Sequence, residues 1–276
     1  MKDIQIEARD GFSLGATWRD GSEPNVVVIN SATAVPRRFY RHIAEYLVSA
    51  GYSVVTYDYR GIGGSRPKSL KGFPAKMRDW ALQDMAGVVD WVRREKRPDR
   101  IFMVSHSFGG QVAGLLDNSN AIDGMVTLSS QSGHWRLQGG EQKAAVAFHS
   151  HVTLPAMSRA FGYMPWSKLG SAEDLPKQVA IEWARWCRCR NYLLDDPTLP
   201  LERYAKFTAP VLAYSFGDDK WGTSESVDAM MGAYPFLERR HVEPKDVGLR
   251  RIGHFGYFRP DAANMWIELT DWLSRH

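Results

Sequence analysis

The stretch Val104-Ser105-His106-Ser107-Phe108-Gly109-Gly110 decides how the rest of this chain is read. Just before it, Ile101-Phe102-Met103-Val104 is a short apolar run, the pattern of a strand buried on both faces. Just after it, Ser107–Leu116 has helical spacing. A serine at such a strand-to-helix turn, with small residues two before (Ser105) and two after (Gly109), reads as a nucleophile elbow. The turn is so tight that bulk at 105 or 109 would collide with a neighbouring strand or helix. In return the Ser107 hydroxyl stands exposed at the end of a sheet and at the positive end of a helix. As bare letters the pattern is weak; its context supplies the specificity.

Working outward, strand and helix signals alternate. Ile4–Ala8 and Phe12–Trp18 read as two strands joined at Asp10-Gly11, a hairpin turn. Val26–Ile29 is a buried strand, 37–49 a helix stopped at Gly51, and Tyr52–Tyr57 a further strand running into Asp58–Ser65. Met77, Trp80, Ala81, Met85, Val88, Val89 and Val92 fall on one helical face, which Pro98-Asp99 ends. Ile122–Leu128, Val211–Phe216 and a segment near Arg240–Val242 complete the strands. Helices near Ser224–Tyr234 and Ala262–Ser274 follow the last two. This order predicts an α/β fold with a mostly parallel sheet covered on both faces. Residues 133–205 interrupt it. They lack β-branched runs, carry helical spacing (Lys177–Tyr192 most clearly), and hold Trp135, Trp166, Trp183 and Trp186 of the ten tryptophans. We therefore expect a discontinuous core, 1–132 and 206–276, with 133–205 inserted as a helical cap.

An elbow serine needs an acid and then a histidine later in the chain. Gly217-Asp218-Asp219 follows a strand and offers the acid, with Asp219 preferred and Asp218 the alternative. Gly253-His254-Phe255 offers the base, which would take the Ser107 proton and return it to the leaving group. The backbone N–H of Phe108 and one from Ser31-Ala32-Thr33-Ala34 are expected to form the oxyanion hole, Thr33 preferred over Ala32. His106 is expected to point away from the nucleophile. His149 and His151 form an H-x-H pair without a third ligand nearby, so no metal site is expected.

Composition narrows the rest. Apolar residues make up 44% and charged residues 24% of 276, as in an ordinary globular protein. The net charge of +4 and the lack of a basic run give no reason to expect nucleic acid. Cys187 and Cys189 sit too close to bridge and read as small apolar groups. Neither a leader sequence nor an apolar span is apparent, so a cytoplasmic protein without a membrane span is expected. Arginine outnumbers lysine 24 to 11. Arg185, Arg188 and Arg190 surround the cysteines and read first as a solvated helix face, second as partners for a substrate anion.

Through Asp58–Ser65, Ser105–Gly110, Gly217–Asp219 and Gly253-His254-Phe255 the chain resembles the α/β-hydrolase superfamily nearly end to end. Ser31–Val35 before Phe39-Tyr40, with Trp183–Cys187, is similar to a bacterial group of predicted alpha/beta hydrolases of unassigned substrate. The chain departs from the usual pattern at Ser31-Ala32, where His-Gly is common, and at Ser105, where glycine is common. The resemblance implies an eight-stranded, mostly parallel sheet with a helical cap, and no cofactor. The expected function is serine hydrolysis of a carboxylic ester or thioester, with cap aromatics walling an apolar acyl part. Acyl transfer, cofactor-free peroxidase or lyase chemistry on the same triad, and plain ligand binding are the alternatives.

Overall fold

The computed structural model describes residues 1–170 and 172–276. Val26–Ile29 explains the layering: Val26 and Val28 pack into one apolar cluster, Val27 and Ile29 into another, and all four are buried. A strand apolar on both sides needs cover on both sides. It belongs to β3 (Asn25–Asn30). The sheet has eight strands: β1 (Lys2–Glu7), β2 (Ser13–Arg19), β3, β4 (Ser53–Tyr57), β5 (Arg100–His106), β6 (Gly124–Leu128), β9 (Val211–Phe216) and β10 (Leu237–Val242). Their order is β1-β2-β4-β3-β5-β6-β9-β10. β2 is antiparallel to β1 and β4, and every other neighbouring pair is parallel.

One face of the sheet is covered by α1 (Arg41–Ser49) and α8 (Met265–Arg275), through Ile43, Leu47, Trp266, Leu269 and Trp272. The other is covered by a helix whose α-helical centre is α2 (Ala86–Trp91), with π turns Trp80–Met85 and Val92–Lys96 at its ends. α3 (Phe108–Val112) and α7 (Ser224–Met231) follow β5 and β9.

Residues 133–205 lie between β6 and β9. They form α4 (Glu141–Phe148), α5 (Leu154–Phe161), a two-residue antiparallel pair β7 (Tyr163–Met164) and β8 (Leu175–Pro176), and α6 (Lys177–Arg188), with short turns of helix between. Leu154, Met164, Val179, Ala184 and Trp186 join the same apolar cluster as Trp80 and Met85, so this segment and one face of the sheet share a core.

Three expectations need correction. The 3₁₀ turn Ala113–Leu115 shortens the helix expected over Ser107–Leu116. α6 stops at Arg188 rather than Tyr192, because Cys189 is extended. β10 begins at Leu237, three residues early. It is an edge strand rich in exposed charge, which protects an open edge but erases the apolar signal.

Candidate functional site

The ends of the parallel strands place the chemistry. Ser107 sits between β5 and α3 at φ 49° and ψ −111°, a conformation few non-glycine residues adopt, held by its own N–H donating to Leu128 O at 2.9 Å. Gly109 is needed here because a Cβ would lie 2.6 Å from Asn30 O on β3. Ser105 suffices where glycine is common because its hydroxyl is used: it accepts a 2.9 Å bond from Asn30 Nδ2.

Asp219 and Asp218 both reach the histidine loop, for different purposes. Asp219 Oδ2 lies 2.8 Å from His254 Nδ1, while its Oδ1 accepts from Trp221 N and Gly222 N at 2.9 Å each. Burial works to raise the Asp219 carboxyl, but the His254 ring and these amides outweigh it and hold it well below the usual carboxylate range. Asp218 instead accepts from the backbone of Ile252 at 2.9 Å and Gly253 at 2.8 Å. One aspartate orients the ring and its neighbour orients the loop that carries it.

His106, expected to point away from the nucleophile, lies against the histidine loop. Its Nε2 is 2.8 Å from His254 O, a carbonyl that can only accept, so Nε2 carries the proton. Nδ1 must then accept, and the Tyr40 hydroxyl donates to it at 2.9 Å while accepting from Ala32 N at 2.8 Å. Burial, with the nearby His254, pushes the His106 pKa well below its ordinary value, so the ring stays neutral and the pattern is stable. This chain of bonds ties the Ser31–Ala34 loop to the histidine loop. It also uses up the Ala32 N–H. Thr33 N–H makes no hydrogen bond among the described residues, and Phe108 N–H is at the free first turn of α3. Ala34, next to Thr33, is also at positive φ, 61°.

Residues 26–264 match the alpha/beta hydrolase family. The chain belongs to that family. An uncharacterized protein of Mycobacterium tuberculosis is 29% identical over 227 residues, 79% of this chain and 62% of that protein. The chain thus spans under two thirds of that relative's length. Est1E of Butyrivibrio proteoclasticus, solved with ferulic acid, superposes with a TM-score of 0.66 at 15% identity, covering 98% of this chain and 97% of that one. An esterase of Exiguobacterium antarcticum gives 0.64 at 14% identity over 99% and 100%. At these identities the likeness is one of fold.

A cavity opens at the carboxyl ends of the strands, where open α/β sheets commonly take ligands. Its volume is about 240 Å³, and Ser107, His254 and Thr33 share its wall. The Ser107 hydroxyl does not bond His254 here; it donates to Gln131 Oε1 at 3.3 Å. Gln131 is held in turn by Gln111, whose Nε2 donates to Gln131 O at 2.7 Å. Neither glutamine was expected from sequence, although Gln131 follows β6 at the sheet end where ligands bind. Among the described residues, no Asp, Glu, Lys or Arg lines the cavity.

The 133–205 segment supplies the opposite wall. Trp166 and Trp183 face the cavity, and Trp221 reaches it from the β9 loop. Trp186 is buried and gives its indole N–H to Asp196 at 2.8 Å. Cys187 also lines the wall, where burial pushes its thiol up to about 12, so it stays protonated at ordinary pH. His149 faces the cavity and lies 3.2 Å from Thr153 Oγ1, while His151 Nδ1 meets Ala147 O at 2.9 Å.

Arg185 and Arg188 on α6 and Arg190 just past it are all exposed, as a solvated face would be, and Arg185 also pairs with Asp196 and lies 3.6 Å from Glu182. Arg188 Nη1 donates to Ser150 O at 2.5 Å. Arg78, from outside the segment, completes the cluster with 2.6 Å to Glu182 and 3.0 Å to Asp196.

Proposed function

We propose that the chain is a serine hydrolase that cleaves a compact, uncharged carboxylic ester or thioester. The observation that carries this reading is the 2.8 Å contact of Asp219 with His254 Nδ1 at a cavity whose wall also holds the strained Ser107. With Nδ1 engaged by the carboxylate, Nε2 is the nitrogen left to act as base. Ser107 leaves Gln131 by a rotation of its side chain, gives its proton to His254 Nε2 and attacks the carbonyl carbon. The N–H groups of Thr33 and Phe108 receive the developing oxyanion. His254 then protonates the leaving alcohol or thiol, and water repeats the sequence on the acyl-enzyme.

Substrate class follows from the walls. An ionised substrate would find no Asp, Glu, Lys or Arg among the described residues of the cavity wall, and its desolvation would go uncompensated. Trp166 and Trp183 offer apolar contact for an acyl group, and the Gln131 amide offers a polar one beside the reacting serine. The cavity's about 240 Å³ favours a short acyl group over a long chain. In this reading residues 133–205 are the lid of a core made of 1–132 and 206–276. That the structural neighbour from Exiguobacterium antarcticum is an esterase supports the proposal.

A fluorophosphonate probe tests it directly. The wild type is expected to label at Ser107 and to hydrolyse p-nitrophenyl acetate and butyrate faster than octanoate. No labelling, or equal labelling of Ser107→Ala, overturns the catalytic serine.

A further inference from the structure

β2 alternates Leu14, Ala16 and Trp18 into the core with Thr17 and Arg19 on the other face. That second face is polar yet covered. Thr17 is 6% exposed, Arg19 9%, and Thr56, opposite Thr17 on β4, 1%. A cleft of about 460 Å³ opens here between the antiparallel end of the sheet and the start of α1. Four arginines line it, Arg19, Arg37, Arg38 and Arg41, and it shares no lining residue with the Ser107 cavity.

The cleft's carboxylates do not serve all four. Asp58 is taken by Arg37, through its backbone N–H at 2.6 Å and a guanidinium contact, and by Gly64 N at 2.8 Å. Asp3 accepts from Thr17 Oγ1 at 2.7 Å and from Arg37 at 3.5 Å. Glu45 turns towards His42, 3.8 Å away. Arg38 reaches only Glu173 at 3.5 Å, and Arg41 has no ion pair among the described residues. Arg19 is the anomaly. Its Nη1 makes one long contact, 3.5 Å to Thr56 Oγ1, and its Nε and Nη2 make none among the described residues. Arg19 is nine-tenths buried as a residue, yet its unpaired nitrogens open onto the cleft, where they present donors that no described residue accepts from.

We propose that this cleft binds a phosphate dianion, free or as the end group of a small phosphorylated molecule. Guanidinium forks match phosphate oxygens, and a tetrahedral dianion presents acceptors in several directions. Arg19 and Arg41, which line the cleft without an ion pair among the described residues, offer donors that such a group suits better than the two coplanar oxygens of a carboxylate. The volume leaves room for a group attached to the phosphate. The site stands apart from the proposed esterase chemistry.

Calorimetric titration of the full chain at low salt tests the proposal, with inorganic phosphate, glycerol 3-phosphate and malonate as probes. Saturable binding of a phosphate probe, tighter than malonate, is expected. Equal affinity for the two phosphate probes identifies the free ion as the ligand; tighter glycerol 3-phosphate identifies a phosphorylated molecule. Arg19→Gln and Arg41→Gln should each weaken binding by about tenfold or more, the loss of a charge-assisted hydrogen bond. Arg93→Gln, an exposed arginine outside the cleft, should leave it unchanged. Arg41 is exposed, so its variant folds even where Arg19→Gln does not, and its ester turnover should equal the wild type's. Absence of saturable binding by both phosphate probes, malonate binding as tightly, or an unaltered affinity in Arg41→Gln overturns the site. None of these results bears on labelling of Ser107.

Discussion

The two walls of the Ser107 cavity are held in different ways. On the sheet side, backbone groups do most of the holding: Ser107 N to Leu128 O, Ile252 N and Gly253 N to Asp218, and His106 to His254 O. On the 133–205 side, side-chain charge does it. Asp196 gathers Arg78, Arg185, Trp186 and Thr198 around one nearly buried carboxylate. A wall fixed by the main chain positions reacting atoms closely and tolerates little change. A wall fixed by ion pairs and tryptophan packing can be refitted to another substrate while the chemistry opposite stays in register.

The comparison is broken most sharply at the two adjacent aspartates. Asp219→Asn is expected to cut kcat on p-nitrophenyl butyrate by about 10⁴-fold, the scale of a triad acid lost. Asp218→Asn, which only loosens the loop, should cost about tenfold or less. Circular dichroism would show both variants folded, and a reversed order would mean that loop placement outweighs ring orientation.

Next in size is the support beneath the sheet wall. Asp84 is fully buried and accepts from Arg60 N at 2.9 Å and Arg60 Nε at 2.7 Å, fixing the Asp58–Ser65 turn. Asp84→Ala should lower stability by about 3–5 kcal/mol in urea unfolding, because it leaves the Arg60 guanidinium with Asp10 alone and the Arg60 backbone N–H without its acceptor. Asp196→Ala should cost less, about 1–3 kcal/mol, since Arg185 is half exposed and can turn to water.

Acid should separate the two walls as well. Burial alone would raise the Asp196 carboxyl, but hydrogen bonds from Thr198 and Trp186 and the charge of Arg185 lower it to about 2. A carboxyl lowered by folding adds stability that is complete above its unfolded value of 3.8 and fades as pH falls towards 2. Tryptophan fluorescence titrated from pH 5 to 2 should report this loss, and Asp196→Asn should flatten that part of the curve. The smallest effect expected is a change of selectivity. Trp183→Ala enlarges the cavity and should raise the octanoate-to-butyrate ratio of kcat/KM about tenfold, with labelling of Ser107 retained.

Much of this molecule was readable before any coordinates. Apolar runs such as Val26–Ile29 and Ile101–Val104 announce strands buried on both sides, because their burial pattern is local and periodic. The elbow was readable for the same reason, since the residue types it needs lie within a few positions of Ser107. β10 and the end of α6 were misjudged where solvent-facing charge or a single extended residue decides the boundary. His106, Gln131 and the Asp196 cluster gave no comparable signal. Each acquires its role from partners far along the chain, as when His106 meets Tyr40 and His254.

Local spacing alone points to the layered α/β order, the elbow and the identity of two candidate acids and one histidine. Which aspartate meets the imidazole ring, which amide of the Ser31–Ala34 loop is already spent, and what several of the arginines hold emerge only in the folded chain. Those outcomes depend on distances between residues far apart in the chain, and no local pattern of residue types encodes a distance.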